Sequence, residues 1–305
     1  MKTIIGIFLI VYRAITPEFI RDRMYTIRVR LALSQIRRLE PKVLASLQNS
    51  LEPISPSEAI EIKDFINSKG LDTFPYLDLV AEDNFNILIG EDDRYCVKHN
   101  SQIIYFKKQT TRQANFNYYK GLLREQLPNS PHRYLSDFFQ ISEDAIIVDV
   151  GAAEGNFSMS LVNKVKKIYI FEANPDWIEA LKISFEPYRE KVEIIHKFVS
   201  NSTNGESVAL DDFFEGKQPP TFIKLDVEGN EDIVLSGASN ILLSESLQVA
   251  ICTYHKHGDD KKYKDFFHQR GFLTEYSLRH MLFFEDFKNW QIPYFRKGVL
   301  RAKKP

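Results

Sequence analysis

The sequence predicts an α/β fold in which a mostly parallel sheet is wound with helices on both faces. From about residue 116 onward, short apolar runs alternate with helical segments, which is the pattern of such a sheet. The predicted strands cover 146–151, 167–172, 192–199, 221–226, 247–254, 272–278 and 294–302. The helices between them begin near residues 156, 176, 230 and 261. Because 289–293 is a turn rather than a helix, the last two strands predict an antiparallel terminal hairpin in the sheet.

The first strand of this sheet and the turn after it predict a cofactor site. Ile146–Val148 is a β-branched apolar run typical of a central parallel strand, and Asp149 is the first charge at its carboxyl end. Gly151 and Gly155 bracket the following turn, where a missing Cβ lets a ligand approach the backbone closely. Ligands of open α/β sheets bind in the crevice outside the carboxyl ends of the strands, so the ligand is expected there.

The turn does not fit a dinucleotide. The dinucleotide fingerprint Gly-x-Gly-x-x-Gly needs a middle glycine where this chain has Ala153, and Glu154 in the same loop would repel a phosphate. A ligand with an ammonium and a carboxylate, such as the methionine end of S-adenosylmethionine, suits this loop better. Glu172 ends the next strand about 20 residues after Gly151, which is the spacing of an acidic residue that accepts hydrogen bonds from a ribose diol.

A second strand-and-turn segment, Thr221–Glu231, carries candidate catalytic groups. Asp226 ends its strand and Glu228 follows on the turn, so both are expected in the same crevice as Asp149 and Glu172. Two carboxylates placed in this way can share a proton, position a nucleophile or hold a divalent cation. Glu231 is expected only to cap the following helix, whose N-terminus favours negative charge.

Two histidines follow the next strand, in the segment Cys252–His257. Their place near the crevice suggests that the neutral imidazole of His255 could deprotonate a substrate hydroxyl. An ordinary hydrogen-bonded histidine is the alternative, and it is favoured for His257. A metal site built from Asp226, Glu228 and His255 is a further alternative, because the sequence does not fix the distances between them.

Composition excludes several classes of protein. The 305 residues carry a formal net charge of −1, which argues against a basic surface for nucleic acid, so no nucleic-acid partner is expected. The two cysteines, Cys96 and Cys252, form neither a metal-ligand spacing nor a disulfide framework. A reducing, cytoplasmic location is therefore expected.

The sequence divides into an accessory region of helices and a small sheet, over residues 1–115, and a catalytic domain over 116–305. Thr3–Tyr12 is apolar but far shorter than the roughly 20 residues that span a bilayer, and a buried helix or strand start is its expected structure. Arginines are frequent between Arg13 and Lys42. A solvated charged face explains them, and the alternative is peripheral contact with an anionic membrane or a protein partner.

Several segments together resemble the FkbM family of S-adenosylmethionine-dependent methyltransferases. The segments that carry the resemblance are Val148–Ser158, Phe171–Pro175, Val208–Asp212 and Phe222–Glu231, with further similarity in Ser130–Tyr134 and Thr253–Lys256. The resemblance covers roughly residues 118–303 and leaves the amino-terminal region unmatched.

The resemblance implies a class I methyltransferase-like Rossmann fold and roles for particular residues. The methionine part of the cofactor would face Asp149, Gly151, Ala152 and Gly155, with Glu154 in the same loop. Glu172 would bind the ribose hydroxyls, and Asp211 would shape the cofactor or substrate side. Asp226 and Glu228 would lie beside the transferred methyl group. Members of the family are generally O-methyltransferases that act on sugars, polyketides and other small molecules.

The sequence thus predicts methyl transfer from S-adenosylmethionine to a hydroxyl of a small molecule or carbohydrate, with S-adenosylhomocysteine as the product. Asp226 or His255 would take the hydroxyl proton. A nicotinamide-dependent oxidoreductase shares the strand-turn-helix and the downstream Glu172, but the missing middle glycine disfavours it. A non-catalytic scaffold module is the other alternative, and acidic residues at the expected strand ends argue against it.

Overall fold

The computed structural model describes residues 17–48, 54–77, 85–99, 101–108, 110–283 and 291–305. Helices α1 (Glu18–Arg37) and α2 (Glu40–Gln48) lie where the sequence predicts a helical stretch. Helix α3 (Pro56–Lys69) begins after Ser55, whose side chain accepts a hydrogen bond from the Glu58 N–H, and ends at Gly70 with φ of 89°.

A small antiparallel sheet follows and packs on the rest of the chain. Its strands are β1 (Ile87–Ile89), β2 (Tyr95–His99) and β3 (Gln102–Tyr105). The Tyr105 N–H at the end of β3 donates to Ser184 Oγ at 2.8 Å, and the Gln102 side chain donates to the Met159 carbonyl at 2.6 Å. Buried residues of this small sheet and of the chain after residue 116 form one continuous hydrophobic core. The accessory sheet is therefore part of the platform that carries the site.

The central sheet has seven strands and confirms the predicted fold class. Its strands are β4 (Ile146–Val150), β5 (Lys167–Glu172), β6 (Val192–His196), β9 (Phe222–Leu225), β10 (Gln248–Cys252), β11 (Leu273–Tyr276) and β14 (Val299–Lys303). Their spatial order is β11-β14-β10-β9-β4-β5-β6. Neighbours from β10 to β6 pair in parallel, whereas β14 runs antiparallel to both β10 and β11. This is the class I methyltransferase-like arrangement, with the expected antiparallel hairpin at its end.

Helices connect these strands in the expected alternation. They are α4 (Arg112–Glu125), α5 (Asn156–Leu161), α6 (Pro175–Phe185), α7 (Leu210–Phe213), α8 (Glu231–Ser236) and α9 (Asp259–His268). The hydrophobic core on one face of the sheet includes residues of α5 and α6, and the core on the other face includes residues of α8 and α9. The helices on the two faces leave the carboxyl ends of the parallel strands uncovered.

Two predicted strands are interrupted. The expected strand at 192–199 ends at His196, and the Lys197 N–H donates to the Ile195 carbonyl in a tight turn. The chain then forms β7 (Phe198–Val199), which pairs with β8 (Ser207–Val208) outside the central sheet. The expected strand at 294–302 is likewise divided, because β13 (Phe295–Arg296) pairs with β12 (Met281–Leu282) before β14 begins.

Across the described ranges, no helix combines the length and the apolar character that crossing a membrane requires. The apolar run Thr3–Tyr12 lies outside the described residues. The cytoplasmic location stays a prediction.

Candidate active site

A cavity of about 720 Å³ lies outside the carboxyl ends of β4, β5 and β9. Of the predicted residues, Gly151, Glu172, Asp226 and Glu228 line it. The neighbouring ends of three parallel strands bring these residues together, as the crevice rule predicts. The wall also carries the aromatic ring of Trp177.

The charges on the cavity wall are predominantly negative. Four carboxylates line it, from Glu172, Glu206, Asp226 and Glu228. Among the described lining residues, Lys197 is the one cation. Such a wall attracts a positively charged ligand and offers little to a pyrophosphate, which binds to clusters of basic groups and free N–H groups.

Asp149 lies behind the cavity wall in an ion pair. The residue is fully buried, Ser158 Oγ donates to its Oδ2 at 2.7 Å, and Lys224 Nζ lies 3.0 Å from its Oδ1. The same ammonium donates to the Gly151 carbonyl at 2.8 Å. Strands β4 and β9 pair with Asp149 opposite Lys224, and this register explains the contact. Asp149 is thus placed to hold the loop after β4, and it does not face the cavity.

Gly151 is required by the neighbouring strand. Its φ is 73°, and a Cβ at this position would lie 2.0 Å from the Asp226 carbonyl oxygen. The close neighbour of this position is the Asp226 carbonyl at the end of β9, and because Gly151 also lines the cavity, the approach of a ligand to the backbone here stays a prediction. A missing Cβ lets the two strand ends converge at one point.

Glu172 anchors the loop from the other side. Its Oε2 accepts from the Ala153 N–H at 2.9 Å, and its Oε1 accepts from the N–H groups of Ala173 and Asn174 at 2.8 and 2.7 Å. The carboxylate is half-buried and lines the cavity, and its Oε2, which accepts from one N–H group, has a second lone pair. Oε2 can therefore accept a hydrogen bond from a ribose hydroxyl without losing these contacts.

The remaining loop residues point into the protein. Ala152 and Glu154 are buried, and the Tyr118 hydroxyl donates to Glu154 Oε2. Burial raises the pKa of Glu154. Gly155 has φ of 79°, and a Cβ there would lie 2.7 Å from side chains of α6, so this glycine allows α5 and α6 to pack closely. None of these three residues is among those that line the cavity.

Asp226 lies in a polar cluster at the edge of the cavity. Its Oδ2 accepts from the Tyr134 hydroxyl at 3.0 Å, and its Oδ1 accepts from the Tyr254 hydroxyl at 3.2 Å. Burial alone would raise the pKa of Asp226, but the Lys224 ammonium and the hydrogen bond from Tyr134 help to hold it below its ordinary value. Asp226 is therefore ionised at neutral pH. His132 adds a ring nitrogen 3.7 Å from Oδ2.

His255 lies between carboxylates. Its Nδ1 is 2.9 Å from Glu231 Oε1, and its Nε2 is 3.5 Å from both Asp226 Oδ1 and Glu228 Oε2. Burial would lower the pKa of His255, but the hydrogen bond to Glu231 and the surrounding carboxylates outweigh burial and raise it. Glu231 differs from its expected role as a simple cap. It is fully buried, and it orients His255 while its Oε1 accepts from the Val227 and Gly229 N–H groups.

Two other predicted residues lie elsewhere. Asp211 accepts from the N–H groups of Asn240 and Ile241 at 2.9 and 3.0 Å, and it does not line the cavity. These contacts cap a short turn of 3₁₀ helix, so the observed contacts of Asp211 are structural. His257 is exposed and contacts the Arg296 guanidinium, as expected of an ordinary histidine.

Four buried polar residues of the site were not singled out from the sequence: Lys224, His132, Tyr134 and Tyr254. Burial lowers the pKa of His132 to about 4, so this ring is neutral at pH 7 and its Nε2 hydrogen-bonds with the Tyr254 hydroxyl at 3.1 Å. His132 and Tyr134 lie in the segment Ser130–Tyr134, and Tyr254 lies in Thr253–Lys256. Similarity of these segments to the FkbM family was the signal that could have found them.

Several solved methyltransferase structures are similar to this chain. Methyltransferase FkbM from Methylobacillus flagellatus KT is 18% identical, with a TM-score of 0.45, over 55% of this chain and 45% of that one. An rRNA methylase from Streptococcus thermophilus is 18% identical, with a TM-score of 0.38, over 54% of this chain and 90% of that one. M. jannaschii TYW2 in complex with AdoMet is 16% identical, with a TM-score of 0.39, over 71% and 88%. At these identities and scores, the similarities do not identify a substrate.

The comparison of sequences with protein families gives one specific match. Residues 182–279 match the family model described as the Methyltransferase FkbM domain, and this segment contains Asp226, Glu231 and His255. No curated protein matches the chain. The resemblance to FkbM methyltransferases is thereby confirmed over residues 182–279.

Proposed function

We propose that this methyltransferase transfers the methyl group of S-adenosylmethionine to a hydroxyl of a small molecule or carbohydrate and releases S-adenosylhomocysteine. The observation that supports this most strongly is that the Asp226 carboxylate, held by the Tyr134 and Tyr254 hydroxyls, lies at the edge of the cavity that Glu172 also lines. One carboxylate suits a ribose diol, and the other suits an acceptor hydroxyl that must lose a proton.

The residues of the cavity fit this cofactor. S-adenosylmethionine carries a sulfonium and an ammonium, and the wall carries four carboxylates against the single Lys197. Glu172 Oε2 keeps one lone pair available for a ribose hydroxyl, beside the Ala153 N–H that it holds in place. When bound, the cofactor supplies a methyl group on sulfur that is already a good leaving group. The chain then mainly has to align the acceptor and remove a proton.

Asp226 and His255 remove the proton. The acceptor oxygen bonds to the methyl carbon while the carbon–sulfur bond breaks and its electron pair stays on sulfur. One hydroxyl proton must leave, and the Asp226–His255 pair accepts it at the cavity edge. The Tyr134 and Tyr254 hydroxyls keep the Asp226 carboxylate oriented for this task.

A transfer assay with a labelled methyl group tests this function. The acceptors are a panel of hydroxyl compounds, the matching amines, and RNA. We expect label to move to a hydroxyl compound, and Asp226→Asn to slow transfer by about 10²–10⁴-fold because the general base is lost. Binding of S-adenosylmethionine should stay unchanged in Asp226→Asn, since Glu172 is intact.

Asp232→Asn is the matched control, because Asp232 lies on α8 and accepts from Lys262 and Tyr263 away from the cavity. Its transfer rate should equal that of the unaltered chain. Full activity of Asp226→Asn would remove Asp226 from the mechanism. Label in amines or RNA would contradict the proposed acceptor class and the absence of a nucleic-acid partner.

The alternative functions give different results. A nicotinamide-dependent oxidoreductase would bind NADH in the cavity, and a scaffold module would bind a partner without affinity for S-adenosylmethionine. The acidic wall and the absence of the middle glycine at Ala153 favour the methyltransferase over the oxidoreductase. The match to the FkbM domain over residues 182–279 favours it over both.

We further propose that helix α1 binds an anionic membrane surface. The residues that form its outward apolar stripe are Ile20, Met24, Ile27 and Leu31, with exposed fractions of 38, 38, 49 and 60%. Their spacing of three and four residues places them on one face of the helix. Arg21 and Arg28 flank this face on one side, and Arg23 and Arg30 flank it on the other. The opposite face packs toward α4, where Asp22 accepts from the Gln113 N–H.

Co-sedimentation with lipid vesicles tests this contact. Four arginines near an anionic surface contribute about 1 kcal/mol each, so binding should require anionic lipid and weaken with salt. Ile27→Asp should reduce binding because it places a charge within the stripe. Leu33→Asp, on the same helix but outside the stripe, should not. Equal sedimentation with neutral vesicles, or none with anionic ones, would contradict the proposal.

A further inference from the structure

The hydrogen bonds around Asp226 determine which ring nitrogen of His132 carries a hydrogen. The ionised Asp226 carboxylate can only accept, so the Tyr254 hydroxyl, 3.2 Å from Oδ1, directs its one hydrogen there. The Tyr254 oxygen also lies 3.1 Å from His132 Nε2, and it can only accept from that nitrogen. His132 is therefore the Nε2–H tautomer, and its Nδ1 carries a lone pair.

The Nδ1 of His132 faces a carboxyl group. Only 6% of the His132 side chain is exposed, and among the described residues Nδ1 has no hydrogen-bond partner. Oε2 of Glu125, the last residue of α4, lies 3.6 Å from this nitrogen. That distance is longer than a hydrogen bond, but it is short enough for electrostatic contact. An ionised Glu125 would set its negative oxygen against the Nδ1 lone pair, so this geometry favours the neutral acid.

The charges near Glu125 favour the neutral acid as well. Burial raises the pKa of Glu125 to about 8, with help from the Glu154 and Asp226 carboxylates and against the Lys224 ammonium. The side chain is nevertheless 30% exposed, so its proton can exchange with solvent. Glu125 is therefore mostly protonated at pH 7 and loses its proton in mild alkali.

Most groups around His132 keep their protonation state while Glu125 titrates. The low pKa of His132 keeps its ring neutral, and burial raises the pKa of the Tyr254 hydroxyl well above the ordinary value. Burial also raises the pKa of the other hydroxyls and the thiol that face the two residues, those of Tyr118, Tyr134 and Cys252. The exception is His255, whose own pKa is raised, so a test must separate its titration from that of Glu125.

We propose that neutral Glu125 is a positioning residue, which holds His132 as the Nε2–H tautomer and so keeps the Tyr254 hydroxyl directed at Asp226. When Glu125 releases its proton to solvent, the carboxylate attracts a hydrogen onto Nδ1. The ring gains a proton on Nδ1 and gives one up from Nε2, so it stays neutral. The Tyr254 hydroxyl then turns to Nε2, and Asp226 loses one of its two tyrosine donors. This role rests on the proposed methyl transfer, in which Asp226 accepts a proton.

Nitrogen-15 NMR of the histidine-labelled full chain from pH 6.5 to pH 9.5 tests the tautomer, because protonated and bare ring nitrogens differ in chemical shift. Comparison with His132→Gln assigns the signals. We expect Nε2–H at pH 6.5 and a change to Nδ1–H as the pH rises through about 8. In Glu125→Gln the side-chain amide can donate to Nδ1 at every pH, so Nε2–H should persist to pH 9.5. Glu143→Gln, at an exposed position away from the cluster, should titrate like the unaltered chain.

The rate of methyl transfer to a hydroxyl acceptor from the panel is the second measurement. It should fall at least about tenfold above pH 8 in the unaltered chain, because the Asp226 carboxylate loses a hydrogen bond, and this alkaline loss should disappear in Glu125→Gln. Nδ1–H at pH 6.5, one tautomer throughout in the unaltered chain, or the same change in folded Glu125→Gln would overturn the inference. A chain that changes tautomer as expected and transfers no methyl group contradicts the proposed function alone.

Discussion

At the residue scale, the buried ion pair of Asp149 and Lys224 joins the two halves of the site. The ammonium binds the Asp149 carboxylate and the Gly151 carbonyl, so it fixes the loop after β4 to strand β9. Removing one member of such a pair leaves the other charge buried and costs about 3–5 kcal/mol. A substitution of Asp149 would therefore unfold the loop as well as alter the cavity. Substitutions of Glu172 and Asp226 test function with less effect on folding, because both side chains line the cavity.

At the element scale, Glu58 attaches helix α3 to His280, which follows strand β11 of the central sheet. This carboxylate accepts from the His280 N–H at 2.8 Å and lies 3.0 Å from His280 Nδ1. Burial would raise the pKa of Glu58, but His280 and then Lys297 outweigh burial and lower it below the ordinary 4.5. Since the folded-state pKa is the lower one, this stabilisation is present above about pH 4.5 and is lost as the pH falls through the lowered pKa.

Glu58→Gln should lower the free energy of unfolding by about 1–3 kcal/mol at pH 7, because a buried hydrogen-bonded charge is removed. The difference from the unaltered chain should shrink in acid, where Glu58 is protonated in both states. Glu61→Gln on the same helix is the control. Its pair with Arg279 is half-exposed, and losing it should cost less than about 1 kcal/mol. Urea unfolding at pH 7 and pH 4 measures both, and equal losses in the two variants would contradict this account of α3.

At the element scale, the sequence predicts part of the fold and part of the candidate site. Short apolar runs that alternate with helical segments predicted the strands of the central sheet, and the strand-end rule predicted Glu172 and Asp226 at one crevice. Strand register was not predictable, and the register of β4 against β9 is what buries Asp149 beside Lys224. Pairing between distant segments was not predictable either. His132 and Tyr134 reach the site from a loop before β4, through contacts that no local pattern encodes.

At the scale of the whole molecule, the division proposed near residue 116 reflects a change in the sequence pattern. In packing, strand β3 contacts α5 and α6 and shares their hydrophobic core. Helix α4 spans that division and supplies the Tyr118 hydroxyl that binds Glu154 behind the loop after β4. The accessory sheet therefore supports the site from behind. The acidic cavity and the arginines of α1 give the molecule two surfaces of opposite charge.

Calorimetric titration with S-adenosylmethionine tests the central claim most directly, that the crevice at β4, β5 and β9 is the cofactor site. We expect one saturable binding event, weakened at least about tenfold in Glu172→Gln because a charged hydrogen bond to the ribose is lost. Glu193→Gln, at an exposed position on β6, should bind like the unaltered chain. Lack of saturable binding by the unaltered chain, or unchanged affinity in folded Glu172→Gln, would contradict the claim.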